Sequence, residues 1–317
     1  MKNLRTAVIG CGARGEGHIR ALESFDDVDI VAICDPVDRA REAACRSHQI
    51  EKGYAAIEDL LSKEELDAIV VATPAHLNAS VAKLCLEEGI DTLLEKPPGL
   101  SVPECVELRD ISIRTGAKGM VGWNRRFNPL IVEAKALIAE RGPVTQLVGE
   151  FHKSIQRTLD SEVFGEELMD NLLLETPIHA IDTMTFLAQS KVAEVHSFVR
   201  RATSIYKDVH AALVVFENEC VASIIANYTT DARLERYEVH GCGISAYLEG
   251  VKQGVVYCDG TQKELDGSNS QKSTNDQDRF FLDCVKSGRP IGYPAANLDA
   301  AVESMSLCAK ILDGLRE

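Results

Sequence analysis

The sequence predicts an α/β protein, with an N-terminal parallel sheet flanked by helices and a C-terminal α+β domain built on a large open, mostly antiparallel sheet. Three observations predict it. An apolar run, Ala7-Val8-Ile9, passes straight into Gly10-Cys11-Gly12-Ala13-Arg14-Gly15 and then into residues that can open a helix. Strand-like and helix-like stretches then alternate as far as Val121, the rhythm of a parallel sheet with helices on both faces. Beyond Val121 extended runs follow one another with short connections, the rhythm of an antiparallel sheet. At 317 residues the chain exceeds what one core usually supports. The expected division is 1–122 and 123–317, with a return of the C-terminal helices to the first domain left open.

The opening glycines have distinct tasks in a strand, turn and helix that binds a dinucleotide. Gly10 permits the tight turn, Gly12 lets backbone approach a pyrophosphate, and Gly15 lets the helix sit close to the strand. The anion would rest on unpaired N–H groups at the positive helix end, flanked by Ala13 and Arg14. The next buried strand, Val28–Cys34, ends on Asp35, whose carboxylate can accept from the 2′- and 3′-hydroxyls of an adenosine ribose. A 2′-phosphate would meet that negative charge, which favours NAD; Arg39, able to hold such a phosphate, leaves NADP open. Asp35-Pro36 also reads as a helix cap followed by proline at the first helical position.

Helices are expected at 56–61, 76–88 and 101–115, the last with Ser101 as N-cap and Glu104 closing a capping box, and strands at 67–71, 92–94 and 118–121. Ligands of such sheets bind beyond the carboxyl ends of the strands. This brings forward Thr73-Pro74, Glu95-Lys96-Pro97 and Gly122-Trp123-Asn124. Lys96 is pinned between a carboxylate and two prolines, at an X-Pro bond open to the cis form.

In the second region Arg125-Arg126-Phe127-Asn128-Pro129 leads into an amphipathic helix through Ala139, and Gly142-Pro143 breaks it. Extended runs follow at 146–151, 192–200, 211–216, 221–226, 237–240 and 245–248. A sheet of this kind needs its outer face covered, and a second subunit would do so, giving a homodimer or homotetramer. The polar stretch 266–278 reads as a surface loop, and 278–315 as helical pieces around a turn at 287–294. In Glu175-Thr176-Pro177-Ile178-His179-Ala180-Ile181-Asp182, Thr176 reads as the cap and Pro177 as the first residue of a helix. His179 then lies in the first turn, where the positive helix end favours the neutral imidazole that can accept a proton. Asp182 falls on the same face.

Composition excludes several classes. Hydrophobic residues at 45% and charged residues at 26% describe an ordinary soluble globular protein. A net charge of −15 argues against nucleic acid or an anionic membrane as partner. The ten cysteines are scattered without a C-x-x-C pair, and Cys34 and Cys85 lie in apolar stretches. They read as reduced thiols of a cytoplasmic protein, and no metal site is expected. No apolar run reaches spanning length, and Met1-Lys2-Asn3 has neither a basic nor an apolar leader character.

Taken together, the chain resembles, essentially end to end, the glucose-fructose oxidoreductase, inositol dehydrogenase and rhizopine-catabolism (Gfo/Idh/MocA) oxidoreductases. The resemblance is carried by G-x-G-x-x-G, the acid after the second strand, Thr73-Pro74, Glu95-Lys96-Pro97, GWNRRFNP from Gly122, the H-x-x-D of His179 and Asp182, and FLDCVKSGRP from Phe281. It implies a Rossmann domain, assembly through the open sheet, and oxidation or reduction of a sugar, polyol or related compound with a nicotinamide cofactor. It further implies that Lys96 and His179 contact the reacting hydroxyl and that the nicotinamide lies against the Thr73 and Glu95 turns. Two departures stand out. Glu175-Thr176-Pro177 replaces the D-x-G that usually precedes the histidine, and Asn78 stands where a histidine often follows the T-P turn, with His76 nearby.

The expected site therefore has Lys96 and His179 as catalytic groups and Glu175, Asp182, Trp123, Asn124 and Arg126 toward substrate. Gly10, Gly12, Ala13, Arg14, Gly15, Asp35, Arg39, Thr73, Pro74, His76, Asn78 and Glu95 are expected toward the cofactor. The expected reaction is hydride transfer between NAD, or NADP, and a secondary hydroxyl or ketone. An epimerase or glycoside-cleaving enzyme using bound NAD transiently is a variant of that chemistry. A non-catalytic nicotinamide-sensing regulator is the other class, disfavoured by Lys96, His179 and Asp182, which a sensor would not need.

Overall fold

The computed structural model describes residues 2–160 and 165–316. In chain order the first elements are β1 (Leu4–Ile9), α1 (Ala13–Glu23), β2 (Val28–Cys34), α2 (Asp38–His48), β3 (Gly53–Tyr54), α3 (Ile57–Lys63), β4 (Ala68–Val71), α4 (Ala75–Glu87), β5 (Asp91–Leu94), α5 (Val102–Thr115) and β6 (Gly119–Val121). Then come α6 (Pro129–Ala139), β7 (Gln146–Ser154), α7 (Ile155–Leu159), α8 (Glu166–Asp170), α9 (Ile178–Ala188), β8 (Val192–Arg200), β9 (Val209–Phe216), β10 (Val221–Asn227) and β11 (Thr229–Gly241). The last are β12 (Ile244–Glu249), β13 (Gln253–Cys258), β14 (Thr261–Leu265), α10 (Ser273–Ser287), β15 (Ala296–Asn297) and α11 (Leu298–Leu312).

The chain divides into two compact units. The first comprises Met1–Asn124 and Thr274–Val302, the second Arg125–Ser273 and Glu303–Glu317. The first thus takes in a late segment as well as the expected N-terminal stretch.

The first unit is organised by a sheet of order β15-β6-β5-β4-β1-β2-β3, parallel except for β15, which runs antiparallel to β6. Its centre is apolar on both faces because helices cover both: all four residues of β4 are buried. The expected elements of this region all appear, shifted by no more than two residues. The capping box is present: Ser101 N–H donates to Glu104 Oε2 at 2.8 Å, and Glu104 N–H donates to Ser101 Oγ at 3.4 Å. Helix α2 differs from expectation, since it opens at Asp38 with Val37 in the cap position. Asp35 does not cap it, because its Oδ1 accepts the Val37 N–H at 2.8 Å and its Oδ2 the Cys11 N–H at 2.7 Å. Burial pushes the thiols of Cys34 and Cys85 up to about 11 and about 12, as expected of inert core cysteines.

The second unit carries an eight-stranded sheet of order β14-β13-β12-β11-β7-β10-β9-β8. Its neighbours are antiparallel except β7 and β10, which pair in parallel. Leu147, Gly149 and Phe151 of β7 are buried on the inner face, as period-two alternation requires. Helix α9 lies on that face: a Cβ at Gly149 would come within 3.2 Å of Met184 Sδ. All of α9 except Thr185 is buried. Strands β13 and β14 were not expected, because β14 (TQKEL) is a charged, exposed edge strand with little apolar signal.

The polar stretch 266–278 corrects another expectation. Only its beginning is a loop: a single 3₁₀ turn, Ser270–Lys272, leads into α10, and Gln277 and Asp278 are fully buried. No helix of the described residues is long and apolar enough to cross a membrane.

Candidate functional site

The three glycines of the opening turn stand in different surroundings. Gly10 adopts φ +96°, and a Cβ there would lie 2.4 Å from the Ala72 carbonyl oxygen. At Gly15 a Cβ would fall 1.8 Å from the Gly10 carbonyl oxygen, so strand and helix meet there backbone to backbone. At Gly12 a Cβ would meet nothing within 4 Å. That open space stands at the N-terminus of α1, where Gly12 is the cap residue and offers no side chain to the first N–H groups. A pyrophosphate fits this position by charge and by room. The turn leaves β1 beside β4, where the strand order reverses.

Asp35 sits at the end of β2, 9% exposed, with each carboxylate oxygen fixed by one backbone N–H and retaining capacity to accept from a ribose hydroxyl. Arg39 is exposed. The arginine tied to this loop is instead Arg41, which donates to the Asp35 carbonyl oxygen at 2.7 Å and to Asp38 Oδ1 at 2.6 Å. Sequence reasoning missed it, although its spacing from Asp38 on one helical face was the available signal.

The loops after β4 and β5 are tied together by Asn78. Its Nδ2 donates to the carbonyl oxygens of Glu95 at 3.1 Å and Pro97 at 2.8 Å, and its Oδ1 accepts from Thr73 Oγ1 at 2.8 Å. The amide thus braces the Glu95-Lys96-Pro97 turn, in which the Lys96–Pro97 peptide is cis. Lys96 is half-buried, while Pro74 and His76 are exposed. Glu95, 4% exposed, accepts through Oε1 from Arg14 and from His18 Nε2. Burial opposes its charge, but the His18 hydrogen bond and the Arg14 charge bring its carboxyl down to about 2. Trp123 and Asn124, just past β6, are buried, and Asn124 Nδ2 donates to Thr274 Oγ1 at 3.2 Å.

In the second unit α9 opens at Ile178 with Pro177 in the cap position, one residue later than expected. Thr176 does not cap the helix because its Oγ1 donates to the Glu175 carboxylate instead. Glu175, the departure noted in the sequence, is buried and strongly held. Lys153 Nζ donates to its Oε1 at 2.9 Å, and Tyr228 OH lies 2.8 Å from its Oε2. Neither Lys153 nor Tyr228 was anticipated. Lys153 continues the inward alternation of β7, so a lysine at an inward position was the legible signal.

His179, 5% exposed, follows in the first turn of α9. Asp182 is fully buried and pairs with Arg126, whose Nε and Nη2 reach it at 2.9 and 2.7 Å, while Ser304 Oγ donates to it at 3.2 Å. Burial drives the Asp182 carboxyl upward, against the Arg126 charge that lowers it. The structure therefore brings Asp182 and Arg126 together as a buried pair.

A parallel sheet ordered 3-2-1-4-5-6, a glycine turn at its switch point and an acid after its second strand define the dinucleotide-binding Rossmann class. Residues 4–123 match the model described as "Oxidoreductase family, NAD-binding Rossmann fold", and residues 131–245 match the GFO/IDH/MocA C-terminal domain. The chain belongs to the GFO/IDH/MocA oxidoreductase family, is a dehydrogenase of that family, and carries its NAD-binding Rossmann fold.

Among similar proteins, 4-carboxy-2-hydroxymuconate-6-semialdehyde dehydrogenase of Sphingobium is 24% identical over 295 residues, covering 90% of this chain and 91% of that one. Inositol 2-dehydrogenase of Salmonella typhimurium is 24% identical over 243 residues, 75% of this chain and 70% of its own. The solved UDP-N-acetylglucosamine 3-dehydrogenase of Acidithiobacillus ferrooxidans shares the fold with a TM-score of 0.85 at 18% identity, covering 99% of this chain and 98% of that one.

Proposed function

We propose that the protein transfers a hydride reversibly between NAD and a secondary hydroxyl or ketone of a sugar, cyclitol or related compound. The observation that carries this reading is the Glu95-Lys96-Pro97 turn, braced by Asn78 on the same sheet edge as the glycine turn. The inositol dehydrogenase among the similar proteins supports the substrate class. When bound, the nicotinamide would take up or return the carbinol hydride.

The chain's own residues handle the proton. His179, in the first turn of α9, is the base that removes the hydroxyl proton, its neutral form favoured by the positive helix end. Lys96 stabilises negative charge on the reacting oxygen, or relays its proton. Glu175, held by Lys153 and Tyr228, orients polar groups of the substrate, with Trp123 and Asn124 contributing from the segment after β6. Arg126 acts through α9 by pairing with Asp182 on that helix. Gly12 and Arg14 lie toward the pyrophosphate and Asp35 toward the ribose. The carboxylate of Asp35, together with the engagement of Arg41 by Asp38, favours NAD over NADP.

The outer face of the second sheet carries Phe198, Ala211 and Ile225 side by side on adjacent strands, with Phe198 51% exposed. A second copy of the chain is the proposed cover, giving a homodimer or homotetramer.

The test is reduction of NAD and of NADP across a panel of sugars and cyclitols. With the best substrate, Lys96→Ala and His179→Ala are each expected to lower turnover by about two to four orders of magnitude. Near wild-type turnover in either variant removes that residue from the mechanism. Substrate conversion without net reduced nicotinamide would instead indicate transient use of the cofactor.

A further inference from the structure

Helix α1 carries His18 on its buried face, four residues after Arg14 and only 1% exposed. Its Nδ1 lies 2.7 Å from Asp278 Oδ2 on α10, and its Nε2 lies 3.1 Å from Glu95 Oε1 at the end of β5. All of these groups belong to the first unit. Both partners are carboxylate oxygens, so each ring nitrogen must carry a hydrogen, and the ring is an imidazolium. Burial alone would strip its proton. The charge and hydrogen bond of Asp278, followed by those of Glu95, reverse that and hold the imidazolium up to about 10.

The groups facing this ring come from three elements. Arg14 lies on α1 itself and donates to the same Glu95 oxygen through Nε at 3.1 Å. From the turn after β5 come Glu95 and Lys96, whose backbone N–H donates to Glu95 Oε2 at 3.2 Å. From α10 come Asp278 and Gln277, whose Nε2 donates to Asp278 Oδ1 at 3.2 Å. Without the imidazolium, two buried carboxylates would face each other across a neutral ring, and Arg14 alone would supply a cation from α1 to the Glu95 turn.

We propose that His18 is a positioning residue: held by Asp278 and donating to Glu95, its imidazolium fixes the Glu95-Lys96-Pro97 turn and the Arg14 guanidinium at the dinucleotide-binding edge. This rests on the reading of the glycine turn as the NAD site. It assigns a task to a late segment, the start of α10, that the sequence presents as a polar loop. It also gives Glu95 an indirect role, in which its carboxylate serves Arg14 and His18 and they, with Lys96, shape the site.

The experiment measures NADH binding to the full-length chain by nicotinamide fluorescence between about pH 6 and about pH 10, for wild type, His18→Gln and Asp278→Asn. His18→Gln is expected to weaken binding about tenfold from about pH 6 to about pH 9, the gap to wild type narrowing toward about pH 10 as wild type loses the same charged hydrogen-bond donor. Asp278→Asn keeps an acceptor for Nδ1 but loses its charge. Binding should therefore stay near wild type at the acid end and weaken at a lower pH than in wild type, as the imidazolium gives up its proton sooner. If the folded variants bind NADH as wild type does at every pH and differ only in melting temperature, the role is purely structural and the proposal is overturned. Absence of NADH binding in wild type would count against the dinucleotide reading instead. In that case NMR of ¹³C-labelled imidazole decides the histidine's part separately. A His18 resonance that stays protonated into alkaline solution supports the proposal, and one titrating near the ordinary value of about 6.5 overturns it.

Discussion

Two buried carboxylates, one in each unit, differ in a way that shows how this protein uses charge. Glu95 at the end of β5 and Asp182 on α9 are both nearly inaccessible, and both accept hydrogen bonds from an arginine. Yet Glu95 is brought down to about 2, whereas Asp182 is raised from its ordinary value. Burial pushes both upward. Glu95 overcomes it because His18 adds a second cation to Arg14, while Asp182 has Arg126 and the neutral hydroxyl of Ser304. The first arrangement keeps Glu95 charged between two cations, and the second ties α9 to the segment that carries Arg126.

The comparison breaks most visibly if the Asp182 pair is dismantled. Asp182→Ala leaves Arg126 buried without its carboxylate, and should cost about 3–5 kcal/mol in urea unfolding at neutral pH. Replacing both partners, as Asp182→Leu with Arg126→Met, should recover most of that, since a well-packed apolar pair can equal a buried ion pair. A single variant losing less than about 1 kcal/mol, the scale of an exposed pair, would show that Asp182 does not anchor α9.

Glu95→Gln should cost less, about 1.5–3 kcal/mol, the scale of a hydrogen bond to a charged group. Its sharper signature is in pH. Glu95 has a depressed folded value, so its contribution is complete above the ordinary 4.5 and is lost as pH falls through about 2. The raised value of Asp182 has the opposite sign: its ionised form weakens the fold, and that penalty eases as pH falls. Between about pH 5 and about pH 3, Glu95→Gln should therefore flatten the loss of the urea midpoint and Asp182→Asn should steepen it. Equal slopes in the two variants would erase the distinction. On the alkaline side the His18 contribution is complete below 6.5 and disappears as pH rises through about 10.

The legible part of this molecule was the part whose signals are local. The three glycines, Asp35 after β2, the Ser101 box and the alternation of β4 through β6 each show in a few consecutive residues, and the structure has them within two residues of expectation. What escaped depends on partners far apart in the chain. Asp278 lies in a run indistinguishable from a loop until His18, 260 residues earlier, supplies its cation. The parallel pairing of β7 with β10 is invisible in strands that alternate as antiparallel ones do. Glu175 was noticed, but the lysine and tyrosine that grip it sit at the ends of separate strands. His179 was legible because the helix start that places it is local, displaced by one residue.

The glycine turn offers a contrast at the level of backbone. Gly15→Ala forces a Cβ onto the Gly10 carbonyl and should cost about 1–3 kcal/mol of stability, the range for overpacking. Gly12→Ala enters open space and should leave stability within about 0.5 kcal/mol. Its NADH affinity should nonetheless fall, because the added methyl stands where the pyrophosphate would rest. Unchanged NADH affinity in Gly12→Ala would move the phosphate site away from this turn.

A third kind of carboxylate extends the comparison, with a smaller effect than either buried one. Glu104 is half-buried at the first turn of α5, and its Oε2 is held by the N–H groups of Leu100 and Ser101, each at 2.8 Å, and by the Ser101 hydroxyl. Backbone dipoles stand in here for the cations that hold Glu95. They are aligned by the helix end and need no buried partner charge, so removing one member exposes nothing that water cannot solvate. Ser101→Ala deletes the hydroxyl that accepts the Glu104 N–H but leaves both backbone donors to the carboxylate in place. The expected loss is about 1 kcal/mol in urea unfolding, the usual worth of an N-cap. A loss approaching that of Asp182→Ala would mean that α5 depends on its cap as α9 depends on a buried charge.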